Sequence, residues 1–281
     1  LGVALERLTG LRNAALDRAA ALRELYEAAA QLFVVANQPF DPALLRPVPV
    51  PGLDYRARAG RRDLYVWSDA FRRYTNGYLE ELLRAKGIDR VLVSTGDADG
   101  GEAKLAELAE RPGLEAQRLL GVRSWMAPEG PARARERLLD LDPPPGGVHL
   151  DVEPQALDHF DRDRELLLDR YLEVIRSARE ALGADVHLAV SVPVWWPAAV
   201  YEALSPLVDE VHLMAYGTTD GDTLVERLRT PVAALEPGSV VVALRASDFG
   251  TEWELEQAFH AVSRATGVER LAIHDLDGFM E

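Results

Sequence analysis

Eight strand-like runs alternate with helix-like stretches through most of this 281-residue chain. The runs are rich in branched aliphatic residues and lie at 63–68, 90–95, 115–122, 147–153, 186–193, 210–216, 239–246 and 270–275. Segments with helical periodicity lie between them, at 70–86, 102–111, 131–140, 161–182, 198–207, 222–235 and 252–266. Strands separated by helices pair in parallel, and eight such strands can close on themselves. The pattern therefore predicts an α/β fold, a (β/α)8 TIM barrel. No Gly-x-Gly-x-x-Gly motif follows any run, which disfavours an open doubly wound sheet.

Three regions are predicted along the chain. Residues 1–36 carry leucines at helical spacing and form an N-terminal helical segment, residues 37–60 are a Pro-rich connector, and residues 61–281 form the barrel. The eighth run is followed only by residues 276–281, too few for the last helix of the ring. We expect the N-terminal helix to fill that place beside the helix at 252–266. The alternative is that residues 1–36 belong to a neighbouring domain and dock loosely.

The most informative stretch is residues 147–154, which read Gly-Val-His-Leu-Asp-Val-Glu-Pro. A strand sends alternate residues to opposite faces, so one face here is apolar and the other carries His149, Asp151 and Glu153. Asp151 and Glu153 are two residues apart, which places their Cα atoms roughly 6.5 Å from each other. Taken alone, the stretch also fits an edge strand with a solvated polar face.

Barrel active sites form at the carboxyl ends of the strands, so we assigned inward residues by placing branched aliphatics outside. This predicts a polar interior near those ends and a site with three catalytic candidates, Asp151, Glu153 and Tyr216. The predicted substrate-binding residues are Trp67, Ser94, Ser191, Trp195, Arg245 and His274. Carboxylates flanked by aromatic rings suit a sugar, whose apolar C–H faces stack on the rings. We interpret His149, His187 and His212 as hydrogen-bonded core residues nearer the amino ends.

Composition excludes several classes of function. A net charge of −15 disfavours nucleic acid as a partner, and no apolar run is long enough for membrane insertion. The chain has no cysteine, which removes disulfides, thiolate catalysis and Cys-ligated zinc. We expect no cofactor and no metal. The first residue is Leu1, so the sequence is compatible with a segment of a longer chain, and we favour export to the periplasm or exterior over the cytoplasm.

Two strands resemble family 18 glycoside hydrolases, the chitinases and their relatives. Residues 147–153 are similar to that family's fourth-strand signature, Gly-x-Asp-x-Asp-x-Glu, and residues 213–216, Leu-Met-Ala-Tyr, are similar to its Met-x-Tyr segment. The resemblance implies that Glu153 protonates the leaving oxygen. It also implies that Asp151 orients a substrate N-acetyl group acting as internal nucleophile, with assistance from Tyr216.

The sequence departs from the family pattern at three positions. The first Asp of the signature is His149 here, the Asp that follows the Tyr is Gly217, and the Trp expected on the last strand is His274. The resemblance therefore indicates a distant relative, or a related bacterial exopolysaccharide-hydrolase barrel. Because a second carboxylate raises the pKa of its neighbour, we expect Asp151 to raise the pKa of the acid Glu153.

Other chemistries stay open. If the substrate lacks an N-acetyl group, a nucleophile or base must come from Asp248, Asp275 or Asp277, each of which also fits an ordinary loop or cap role. Asp151, Glu153 and His274 could instead converge on a divalent metal ion. A catalytically silent carbohydrate-binding barrel is the third alternative. Asp- and Gly-rich loops at 96–101, 154–164 and 217–222 favour a cationic, partly deacetylated amino sugar over an anionic polymer. Together with what the resemblance implies, this makes a polysaccharide with N-acetylated or partly deacetylated amino sugars the expected substrate.

Overall fold

The computed structural model describes residues 60–96 and 100–280 and confirms the (β/α)8 barrel. Eight parallel strands pair in chain order, and the first closes on the eighth. The strands are β1 (Arg61–Val66), β2 (Arg90–Val93), β3 (Glu115–Leu120), β4 (Val148–Leu150), β5 (Leu188–Pro193), β6 (Glu210–Met214), β7 (Val240–Arg245) and β8 (Arg270–His274). The predicted N-terminal helix and the Pro-rich connector lie outside the described residues.

Helices follow the strands around the ring. They are α1 (Ser68–Arg73), α2 (Asn76–Lys86), α3 (Gly101–Ala109), α4 (Gly130–Leu139), α5 (Arg164–Leu182), α6 (Ala198–Leu204), α7 (Gly221–Ala234), α8 (Glu252–Thr266) and α9 (Leu276–Met280). The single helix predicted at 70–86 is two helices, because the Thr75 hydroxyl caps a new start by accepting a hydrogen bond from the Tyr78 N–H at 3.2 Å. None of the described helices has the length and apolarity to cross a membrane.

Two apolar cores follow from the alternation of each strand. The outer core lies between strands and helices and contains the branched residues of β4 and β5, such as Val148, Leu150 and Val190. The inner core lies within the barrel and consists of Tyr65, Leu92, Leu119, Val241, Ala243 and Ala272. The outward position of the branched residues of β4 and β5 agrees with the sequence-based assignment.

The amino end of the barrel holds a buried ionic cluster that the sequence analysis did not predict. Arg90, Asp63 and Glu210 are all fully buried, and the Arg90 guanidinium donates to both carboxylates. Arg270 forms a further ion pair with Glu210. The inward positions at the start of β1, β2 and β6 carry these paired charges.

Among the described residues, a short helix follows β8. Helix α9 has five residues and contacts β8 and β1. The outward-facing Leu271 and Ile273 of β8 are nevertheless fully buried. The described residues after β8 thus supply one short helix at this place.

Candidate functional site

The carboxylate pair lies where β4 ends. The Asp151 N–H donates to the Leu120 carbonyl at 2.8 Å, so pairing with β3 continues one residue beyond β4. Val152 is buried in the outer core. Asp151 and Glu153, on either side of it in sequence, therefore lie on the opposite face, at the carboxyl end of the barrel.

A glycine just past the neighbouring strand, β3, allows the backbone of Asp151 to lie close to that strand. A Cβ added to Gly121, just past β3, would lie 2.7 Å from the carbonyl oxygen of Asp151. Any side chain at position 121 would therefore push the backbone of Asp151 away from β3. Gly121 fixes how closely the carboxylate pair sits against the third strand.

The two carboxylates differ in environment. Burial, reinforced by the negative charge of Glu153, raises the pKa of Asp151 to about 7, although the Ser191 hydroxyl opposes this rise. Asp151 Oδ1 is buried and has no hydrogen-bond partner. Glu153 is exposed and accepts a hydrogen bond from Gln155 Nε2 at 3.0 Å. Partial burial raises the pKa of Glu153, and the hydrogen bond from Gln155 opposes the rise. The large rise is at Asp151, whereas we had expected it at Glu153.

Tyr216 follows β6 and packs against the inner core near both carboxylates. Burial and the charges of Asp151 and Glu153 raise the pKa of its hydroxyl well above the usual value, so the phenol stays protonated. The Arg245 guanidinium lies 5.7 Å from the centre of the Tyr216 ring, and the His274 ring lies 5.2 Å away. A neutral phenol beside two carboxylates can donate a hydrogen bond to an oxygen bound between them.

Trp67, Ser94 and His274 lie at the ends of β1, β2 and β8. The Trp67 indole N–H donates to His274 Nε2 at 3.3 Å, and the two rings meet edge to face with centres 5.8 Å apart. The backbone N–H of Ser94 donates to the Val66 carbonyl at 3.0 Å. These contacts join the mouth of the barrel at β1, β2 and β8, opposite the β4 carboxylates.

The loop after β5 presents an aromatic surface. Trp195 is 53% exposed, and its ring meets that of Phe160 edge to face at 5.9 Å. The Arg164 guanidinium lies over both rings, 5.7 Å and 5.4 Å from their centres. The adjacent Trp196 is buried against Tyr171 and belongs to the outer core. Sequence analysis named Trp195 but missed Phe160, which comes from the loop between β4 and α5.

The three aspartates considered as an alternative nucleophile or base have structural partners. Asp248 accepts hydrogen bonds from Arg245 and from the Gly217 N–H at 2.7 Å, and so fixes the turn that follows Tyr216. Asp275 accepts from the Gly278 N–H at 3.0 Å, and Asp277 pairs with Arg73 at 3.0 Å. These contacts match the loop and cap roles that the sequence analysis held open.

Two of the three predicted core histidines are core residues. His149 and His212 are fully buried and hydrogen-bonded, whereas His187 is about one-third exposed and lies 3.6 Å from Glu210. Tyr65 and Ser191 join the two buried imidazoles below Asp151. Sequence analysis predicted Ser191 as a substrate-binding residue, but the structure buries it at 1% exposure beneath the mouth.

The metal alternative is not supported by the geometry. Within residues 60–96 and 100–280, the group of three potential ligands whose atoms lie within 4.8 Å of one another is Asp63, Glu210 and His212. The Arg90 guanidinium already donates to both of these carboxylates. Asp151, Glu153 and His274 do not form such a group.

A cavity of about 370 Å³ lies outside the barrel, lined by residues 72–77, Lys104 and Glu107. None of the predicted site residues lines it. It is separate from the carboxylates.

No protein-family model matches the chain, and no curated protein matches it in sequence. Solved structures do match its fold. A chitinase from Rhizomucor miehei superposes with a TM-score of 0.53 and 14% identity, over 78% of this chain and 95% of the other. The spore cortex-lytic enzyme SleL of Bacillus cereus superposes with a TM-score of 0.53 and 9% identity, over 76% of this chain and 70% of the other.

A third similar structure is the endo-β-N-acetylglucosaminidase of Cordyceps militaris, with a TM-score of 0.50 and 15% identity over 78% of this chain and 83% of that one. Chitinases and other glycoside hydrolases are thus among the structural neighbours of this barrel. At these identities the likeness shows the fold, and the chemistry has to be argued from the residues.

Proposed function

We propose that the protein is a glycoside hydrolase that cleaves a polysaccharide containing N-acetylated or partly deacetylated amino sugars. Glu153 is the general acid, Asp151 stabilises the reacting group, and Tyr216 assists. The observation that carries the proposal is the pairing of a partly buried Asp151, whose pKa is raised to about 7, with an exposed Glu153 at the carboxyl end of β4.

The different environments of the two carboxyl groups support different roles for them in catalysis. Near neutral pH Asp151 retains a proton in much of the free protein, because its pKa is about 7. A substrate N–H that docks on Asp151 favours the ionised carboxylate, because a carboxylate accepts hydrogen bonds more strongly than a carboxylic acid. The released proton can move to Glu153, whose own pKa is raised by partial burial. Glu153 is then ready to protonate a leaving oxygen.

The surroundings suit a sugar substrate. Trp67, Tyr216 and His274 lie around the inner end of the mouth, and the exposed Trp195 offers a ring face further out. Such rings stack on the apolar faces of sugars. Asp158 and Asp161 are almost fully exposed in the loop after β4, which favours a cationic, partly deacetylated polymer over an acidic one. A polymeric substrate also fits our preference for an exported protein.

A second candidate is a barrel that binds carbohydrate without cleaving it. Gly217 lacks a side chain where the resemblance would put an Asp, and His149 replaces another carboxyl group. The Trp195 surface would serve binding alone equally well.

One experiment separates the two candidates. The wild-type protein is incubated with chitin oligomers, partly deacetylated chitosan oligomers and acidic exopolysaccharides, and new reducing ends are measured alongside binding. The proposal predicts reducing ends from the amino-sugar polymers. Binding without reducing ends supports the silent barrel, and preferential cleavage of an acidic glycan contradicts the proposed substrate.

A further inference from the structure

Tyr216 lies where the sixth strand leaves the barrel. The N–H of Ala215 donates to the Ala243 carbonyl on β7 at 2.9 Å, so strand pairing continues to the residue before Tyr216. Gly217 then has a φ of +79°, in the left-handed region that favours glycine, and the chain turns away from the strand. The direction of the Tyr216 side chain therefore depends on this turn as well as on the strand.

The peptide unit between Tyr216 and Gly217 is held at both of its polar ends. Its N–H, on Gly217, donates to Asp248 Oδ2 at 2.7 Å. Its carbonyl, on Tyr216, accepts a hydrogen bond from the Arg227 guanidinium on α7 at 3.1 Å. Because a peptide unit is rigid and planar, fixing both ends sets the orientation of the backbone from which the Tyr216 side chain projects.

Asp248 is itself fixed by a second partner. Arg245 Nε and Nη2 donate to Asp248 Oδ1 at 2.8 Å and 2.6 Å, and the side chain of Asp248 is only 13% exposed. Each carboxylate oxygen of Asp248 thus has its own donor, one on Arg245 and one on Gly217. An uncharged asparagine could not accept on both sides, because one of its two terminal atoms is a donor.

The contact between Arg245 and Asp248 also reaches the Tyr216 ring. The Arg245 guanidinium lies 5.7 Å from the centre of that ring. Two of the nitrogens of Arg245 are occupied by Asp248. Asp248 therefore acts on Tyr216 in two ways, on the backbone through Gly217 and on the ring through Arg245.

We propose that Asp248 is a positioning residue that holds the Tyr216 hydroxyl where it can donate to an oxygen bound between the two β4 carboxylates. The inference goes beyond the proposed function and rests on it only for the effect on turnover. A catalytic group has to be held within about 0.5 Å of its productive position, and a loop side chain needs supporting contacts to achieve this. Asp248 supplies those contacts from the end of β7.

The first test needs no substrate and uses Asp248→Ala in the full chain. The variant removes both acceptors, so hydrogen exchange at the Gly217 N–H, followed by NMR, should become about tenfold faster. Crystal structures of the wild type and the variant should show the Tyr216 hydroxyl displaced by more than about 0.5 Å. Asp248→Asn, which keeps the shape of the side chain, should produce smaller changes in the same direction. A Tyr216 hydroxyl that stays in place in Asp248→Ala overturns the proposal.

Asp209→Ala is the matched control. Asp209 also accepts from one backbone N–H, that of Leu188 at 2.8 Å, and from one arginine, Arg179 at 2.6 Å. It precedes β6 and so lies at the amino end of the barrel, away from Tyr216. Asp209→Ala should leave both the exchange at Gly217 and the position of Tyr216 unchanged.

The second test measures turnover in a double-mutant cycle with Tyr216→Phe. If Asp248 acts through the Tyr216 hydroxyl, Asp248→Ala should lower kcat about tenfold with KM within about twofold. In the Tyr216→Phe background the same substitution should lower kcat less than about twofold, because the hydroxyl that it displaces is already absent. Equal losses in both backgrounds overturn the proposal, since they would show that Asp248 acts on the fold or on the substrate.

The two tests separate this inference from the proposed function. A wild-type protein that cleaves no glycan removes the proposed function, and the position of Tyr216 in Asp248→Ala then decides on its own whether Asp248 holds it. An active enzyme in which Tyr216 does not move removes the positioning role alone.

Discussion

Asp151 has a strongly perturbed carboxyl group: its pKa of about 7 lies far above the ordinary carboxyl value. Between about pH 4 and 7 the folded chain keeps a proton that the unfolded chain has lost. Asp151 therefore contributes a stability that is full at low pH and falls as pH rises through this window. Above pH 7 the contribution is lost and the dependence ends.

Asp151→Asn should remove that dependence. The free energy of unfolding of the wild type, minus that of the variant, should fall by at most about 4 kcal/mol between pH 4 and pH 8. Urea denaturation at several pH values measures it, with the exposed Asp185→Asn as control. A difference that stays constant with pH, or rises, would show that the carboxyl of Asp151 is not perturbed as described.

Gly121 carries a second prediction at the residue scale. Gly121→Ala places a Cβ 2.7 Å from the Asp151 carbonyl oxygen, so the backbone at Asp151 has to move. Displacing a reacting group by a fraction of an ångström lowers catalysis steeply, and we expect kcat/KM to fall about tenfold or more. Gly77→Ala is the control, because a Cβ there meets nothing within 4 Å. Equal activity in both variants would mean that the β3–β4 approach does not position the site.

At the scale of elements, the strand ends supply the proposed catalytic residues, and the loops supply the aromatic surface proposed to bind substrate. The β5 loop and the β4–α5 loop meet through Trp195, Phe160 and Arg164. Because Trp195 is an exposed ring on the loop after β5 and is not one of the proposed reacting groups, its ring should contribute to binding in the ground state and the transition state alike.

Trp195→Ala should therefore raise KM about tenfold and leave kcat within about twofold, since it removes stacking but no reacting group. Steady-state kinetics on a soluble oligomer measure both constants. Trp253→Ala is the control, since that ring is 42% exposed on the outer helix α8. A large loss of kcat with KM unchanged would place Trp195 in the chemistry instead.

The elements were largely predictable from sequence, and the reasons are physical. Alternating polarity in 147–153 gave the face that carries Asp151, because the strand period of two is unambiguous over seven residues. It did not reveal the split of 70–86 at Thr75, where a capping side chain overrides a continuous helical pattern. Phe160 was missed because a loop residue has no periodicity to show where it points.

At the scale of the whole molecule, sequence predicted a closed barrel but not its buried charges. Arg90, Asp63 and Glu210 lie far apart in sequence and meet only when the barrel closes. Their pairing is therefore a property of the closed ring. No local pattern at Arg90 distinguishes it from an exposed arginine at the start of a strand.

Arg90→Met should destabilise the protein by about 3–5 kcal/mol, because it leaves two fully buried carboxylates without their shared partner. Urea denaturation at pH 7 measures the loss. Arg176→Met, an exposed site on α5, should change stability by less than about 0.5 kcal/mol. A small effect at Arg90 would mean that the amino end of the barrel is hydrated and that the charges are not buried together.

The central claim is that Glu153 donates a proton to a leaving oxygen at the barrel mouth, and Glu153→Gln tests it most directly. The amide keeps the shape of the side chain but has no acidic proton. On the amino-sugar oligomer that the wild type cleaves, kcat of the variant should fall at least about a thousandfold while oligomer binding persists. The control is Glu202→Gln at an exposed position on α6, which should retain full activity. Turnover by Glu153→Gln within tenfold of the wild type would contradict the account.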